Sequence, residues 1–108
     1  LSELDLSNNT NLLQIQVNAN QLISLILPIE LSSSQDFNQI NIVRNKLSES
    51  AITNIVNHLP DRNGLDRGRL YLSDNRTSIE ENMTIPAHTS TSLSKNWHVW
   101  VDNVEIKP

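Results

Sequence analysis

At 108 residues, net charge −4 and a pI near 5.2, the chain is sized for one domain or a piece of a longer one. Its eight Lys and Arg are scattered, which argues against nucleic-acid binding and against attachment to an anionic membrane surface. There is no Cys, so disulfides and thiol chemistry are excluded. The longest apolar stretch, 22–31, is interrupted by Ser24, Pro28 and Glu30 and falls short of the roughly 18 residues of a membrane span.

The first 20 residues hold one pattern twice: apolar, two residues, apolar, one residue, apolar, two residues, Asn. The copies are Leu1, Leu4, Leu6, Asn9 and Leu12, Ile15, Val17, Asn20. A third is Phe37, Ile40, Ile42, Asn45, and a fourth, without its first apolar residue, is Leu70, Leu72, Asn75. Apolar-x-apolar reads as a short strand whose outer side chains are buried and whose middle residue is exposed. The Asn follows where the chain turns inward. With one carbonyl acceptor and two N–H donors it suits backbone groups that water cannot reach, so Asn9, Asn20, Asn45 and Asn75 are expected to form a buried structural ladder. This is the L-x-x-L-x-L-x-x-N consensus of leucine-rich repeats, and the expected fold class is an α/β solenoid, a coil of short parallel strands. Alternating strands of a β-sandwich are the other reading of the same residues. The recurring Asn and the shortage of hairpin turn signals weigh against it.

The step from Asn9 to Asn20 is eleven residues, about half of a repeat of roughly 20–29. Successive strands are therefore expected on different sides, with 25–27 near 4–6 and 40–42 near 15–17. Pro28 ends the third strand, and 29–36 reads as a surface loop. After Asn45 the period changes. Leu47, Ala51, Ile52, Ile55, Val56 and Leu59 form one helical stripe, with Ser48 as N-cap, Glu49 in the first turn and Pro60 as stop, so a helix is expected over about 48–59. A polar loop, 61–68, leads to a strand over about 69–73. A polar stretch to Pro86 and a short helical turn over 89–95 carrying Leu93 follow. A last strand covers about 97–101, and 104–108 reads as a tail. The domain reading is thus leucine-rich repeats over 1–47, truncated at the N-terminus because the chain opens inside a repeat, and a C-terminal capping unit over 48–108.

The stretches 4–12 (LDLSNNTNL) and 17–27 (VNANQLISLIL) resemble the short leucine-rich repeats of bacterial surface proteins, the internalin-J-like type abundant in Bacteroidetes. The segments 45–64, 69–75 (RLYLSDN) and 94–99 (SKNWHV) look like the C-terminal capping unit of such proteins. The resemblance implies a right-handed solenoid with a helix-containing cap and a secreted or cell-surface location. The links 28–36 and 76–92 are longer than the family's own connections.

No catalytic constellation has workable spacing. His58, His88 and His98 share no metal-ligand spacing, and phosphate-binding loops, G-x-S-x-G and H-E-x-x-H are absent. The expectation is a chain that is not an enzyme, with no catalytic residues, no metal and no cofactor. Three N-x-[ST] triplets begin at Asn8, Asn75 and Asn82 and read as coincidental. The exposed strand middles are expected to align as Gln16, Asn41, Tyr71, His98 and Trp100, with Arg69 and Ser73 flanking Tyr71, provided Trp97 and Val99 are buried. Aromatics beside amides on a rigid sheet bind proteins as hot spots or sugars by stacking. The functional expectation is a protein-interaction module, with glycan binding through Tyr71, His98 and Trp100 or a purely structural spacer as alternatives. The uncovered first coil is further expected to make the chain self-associate.

Overall fold

The apolar-x-apolar units become strands of only three to five residues, each sending alternate side chains into one core. The structure is a computed structural model that describes residues 2–76 and 79–106. In order it contains β1 (Glu3–Asp5), β2 (Gln14–Gln16), β3 (Ser24–Ile26), a 3-10 turn (Ile29–Ser33), β4 (Gln39–Asn41), α1 (Glu49–Asn57), β5 (Gly68–Tyr71), α2 (Pro86–Ser94), β6 (Trp97–Val101) and β7 (Val104–Ile106). β1 and β3 form a two-stranded parallel sheet in which Leu4 stands opposite Leu25. The second sheet runs β2-β4-β5-β6-β7, with Ile15 opposite Ile40, Ile40 opposite Leu70, and Leu70 opposite Val99. Its first four strands are parallel and β7 is antiparallel to β6.

The leucine-rich-repeat solenoid expected from the motif is overturned. A coil needs one continued parallel stack, whereas here the chain reverses at Asp102 and Asn103, both in the left-handed region (φ 51° and 65°), and β7 closes a mixed sheet. α1 and α2 serve as crossovers between the parallel neighbours β4, β5 and β6, which is how parallel strands are joined in an α/β domain. The radius of gyration, 12.7 Å, is that of a compact domain of this length, for which about 13 Å is expected. The fold is a small α/β domain. Its core runs without a break from Ile15, Leu25 and Phe37 through Ile52 and Ile55 to Leu70, Trp97 and Val99, and so draws on both sides of residue 47.

α1 starts where Ser48 Oγ accepts from Ala51 N, and buries Ile52, Ile55 and Val56. Its C-terminal carbonyls are met from α2's far end. Lys95 Nζ donates to the carbonyls of Val56, Asn57 and Leu59 at 3.1–3.3 Å, and burial lowers the Lys95 pKa. α2 spans nine residues with Pro86 in its first turn, longer than the expected turn over 89–95. The expected tail is the strand β7. Leu1, Thr77, Lys107 and Pro108, which enter the first motif copy, the second N-x-[ST] triplet and the tail, lie outside the described residues, as does Ser78.

Of the four Asn expected in a buried ladder, only Asn45 is buried. Its Oδ1 accepts from the backbone N–H of Asn20 and Leu22, and its Nδ2 donates to the carbonyls of Val17 and Ile42. It thereby ties together the bends containing Ala19, Gln21 and Arg44, three residues held at φ near 60°. Asn9, Asn20 and Asn75 are exposed. The place expected for Asn75 is taken by Asn82, whose Nδ2 donates to the carbonyls of Ile42 and Leu72 and whose Oδ1 accepts from Leu47 N. An amide entering from a loop does the same chemistry as one placed by strand periodicity, so the motif alone does not say which Asn turns inward.

Candidate functional site: the exposed face of the five-stranded sheet

Strand alternation sends Ile15, Ile40, Leu70, Trp97 and Val99 inward and their neighbours outward. Gly68 makes room for Trp97, since a Cβ there would sit 2.4–2.6 Å from the indole ring. Trp97 is anchored by donating Nε1–H to Pro60 O at 2.9 Å. With Trp97 and Val99 fully buried, His98 and Trp100 face outward.

Strand register then lines the outward residues into two rows. One is Gln16, Asn41, Tyr71, Trp100, Glu105; the other is Gln14, Gln39, Arg69, His98. All six residues expected from the sequence (Gln16, Asn41, Arg69, Tyr71, His98 and Trp100) therefore share this face. Tyr71 and Trp100 stack with ring centroids 4.6 Å apart and planes at 17°, and His98 lies 5.9 Å from Trp100 at 40°. His98 Nδ1 is 2.8 Å from Glu105 Oε2. Arg69 is exposed, and its guanidinium has no partner among the described residues. The face thus has an amide half on β2 and β4, and an aromatic and charged half on β5, β6 and β7. Sequence reading missed Gln14 and Gln39, although each occupies the same parity as an expected member. It missed Glu105 because 104–108 reads as a tail, although Val104 and Ile106 flank Glu105 with the same apolar-x-apolar spacing that marks the other strands. Ser73, expected beside Tyr71, is instead buried, where its Oγ donates to Asp102 Oδ1 and accepts from Asp102 N.

The remaining titratable clusters hold the fold together. His88 is 2% exposed. Its Nδ1 accepts from Ile85 N, so the ring proton sits on Nε2, facing Thr53 Oγ1 and Glu49 O, and burial pushes its pKa down. His58 Nδ1 lies 2.8 Å from Asn54 O on its own helix. Asp74 accepts from Arg76 and from Arg44, and the Arg76 guanidinium above all holds its carboxyl far below the usual range. Glu80 accepts from the backbone N–H of Arg44, Asp74 and Asn82 and straps the segment after residue 78 to the sheet end. A shallow apolar cleft lined by Thr84, Ile85, Pro86, Thr89, Val101 and Ile106 lies on the sheet side that carries α2. Among the described residues no helix is long and apolar enough to cross a membrane.

No family model matches the chain, and no curated protein or solved structure matches it either.

Proposed function

We propose that the chain is a non-catalytic recognition module that binds a protein partner on the exposed face of its five-stranded sheet. The observation that carries this reading is the register. It sets a Tyr71–Trp100 stack between a row of amides and a charged edge, on strands held rigid by the core beneath. Aromatic anchors on a preordered surface supply large contact area at little entropic cost, and such residues dominate protein interfaces. The stack also bears on the glycan alternative. Each ring spends one face on the other, leaving edges and outer faces, which fit side chains better than the open ring plane a sugar stacks on.

The test is selection of a displayed protein library against the wild-type chain, with a glycan array run in parallel. The expected result is binders whose affinity falls roughly 30-fold or more in Trp100→Ala and Tyr71→Ala, the scale of a hot spot. Binders indifferent to both changes, or glycan binding alone, would refute the reading.

A second reading concerns self-association, favoured by the outer edges of β1 and β2, which pair with no strand among the described residues. Antiparallel self-pairing of β1 would oppose Glu3 and Asp5 across the edge, whereas β2 offers only neutral Gln14 and Gln16 around Ile15. Pairing of two copies through β2 is the form proposed. Sedimentation at rising concentration tests it, with Ile15 left intact and Gln16→Pro blocking the edge; a monomer throughout would dismiss it.

A further inference from the structure

The charge pattern of the face goes further than its shape, and this inference rests on the reading of that face as a recognition surface. Glu105 is held by a hydrogen bond with His98 and stands at the end of its row, beyond Trp100 from Tyr71. Arg69 is the opposite case: exposed, without a partner among the described residues, and one row away from the Tyr71–Trp100 stack. One alternation further back, at the entry to β5, Arg67 is also exposed and donates Nε–H to Asn96 Oδ1. Arg67, Arg69 and Tyr71 therefore succeed one another at every second position, about 7 Å apart along the chain. An extended segment laid over β5 repeats at the same interval. A carboxylate on it meets the guanidinium fork, which suits bidentate pairing, while the side chain two positions away meets the stack.

We propose that the face receives an extended acidic segment of a partner protein, with the pattern Asp or Glu, any residue, then an aromatic side chain. The carboxylate pairs with Arg69, and the aromatic ring packs against Tyr71 and Trp100. Because the chain as a whole is acidic, the attraction is confined to this corner and weakens as salt screens it.

The experiment is an NMR titration of the wild-type chain with three capped pentapeptides, Gly-Glu-Ser-Phe-Gly, Gly-Gln-Ser-Phe-Gly and Gly-Lys-Ser-Phe-Gly, read at the amides of 69–71 and 98–100 and at the Trp100 indole. The Glu peptide should bind roughly three- to tenfold more tightly than the Gln peptide at low salt, and the Lys peptide more weakly still. Arg69→Gln, a change at an exposed residue without partners among the described residues, should erase the Glu preference, so that the Glu and Gln peptides bind alike. Trp100→Ala should weaken all three. Equal affinities for the three peptides would overturn this inference while leaving the face as a binding surface. No shift on the face with any peptide at millimolar concentration would overturn both.

Discussion

Replacing Asn45 with Ala removes five hydrogen bonds at once, the longest of them to Val43 O, which keeps a bond from Ala19 N, and the structure says how much of the rest stays uncompensated. Val17 O keeps a bond from Asn20 Nδ2, and Ile42 O keeps one from Asn82 Nδ2. The N–H of Asn20 belongs to an exposed residue, and its bond to Asn45 Oδ1, at 3.1 Å, is only partly buried. The N–H of Leu22 is different: that residue is fully buried, and Asn45 Oδ1 is its side-chain acceptor at 2.9 Å. One orphaned buried donor costs about 1–3 kcal/mol, and the remaining bonds exchanged for water add about 1 kcal/mol more. The expected total of about 2–4 kcal/mol corresponds to a fall in melting midpoint of roughly 10–25 °C for a domain near 100 residues. Thermal and urea melts of Asn45→Ala beside Asn45→Asp separate the contributions. The Asp variant retains an acceptor for Leu22 but turns oxygen toward the carbonyls of Val17 and Ile42, so it should be destabilised as well. An Asn45→Ala midpoint within about 2 °C of wild type would refute the argument that this amide closes the bends around Ala19, Gln21 and Arg44.

Gly68→Ala should destabilise by at least about 1–3 kcal/mol, because the new methyl meets the ring of a fully buried Trp97; urea unfolding followed by tryptophan fluorescence measures it, and a neutral result would mean the ring has room to shift. His88 provides a pH signature. Its folded pKa is depressed by burial, so below the unfolded value of 6.5 the unfolded chain takes up a proton that the folded chain does not, and stability falls as pH drops from 6.5 toward the folded pKa. Urea midpoints at several pH values should show that slope in wild type and lose it in His88→Gln; equal slopes would assign the effect elsewhere. Asp74 has the opposite sign of charge and a lower window. Its folded pKa is depressed by Arg76 and Arg44, so its contribution is present above 3.8 and is lost as pH falls through the folded value. Asp74→Asn should therefore lower the melting midpoint at neutral pH, with the gap closing in strong acid; a gap that is constant with pH would rule out the charge as its source.

Much of the local structure is written in single stretches of chain. Ile15, Ile40 and Leu70 alternate with polar neighbours, which settles the buried face of each strand before any partner is known. The stripe from Ala51 to Leu59, with Ser48 before it and Pro60 after it, places α1 within the span expected for it, 48–59. The same alternation put Tyr71 outward, whereas 97–101 carries a Trp at both parities, and burial of Trp97 and Val99 in the structure is what turns Trp100 out. By contrast, α2 has a weak apolar stripe, Ala87 and Leu93 among Ser and Thr, and its position depends on His88 reaching Thr53 and on Lys95 reaching the end of α1. Neither contact has a signature within a local window.

The sequence by itself determined which side chains β2, β4 and β5 bury and which they show. Only the tertiary structure decided how the strands assemble, that β7 turns back against β6 and that Asn82 rather than Asn75 enters the interior. Burial of alternate side chains is a property of one segment. Strand order, direction and the pairing of buried amides are set by hydrogen bonds between groups distant in the sequence, and the leucine-rich-repeat spacing serves a mixed sheet as readily as the coil it was expected to form.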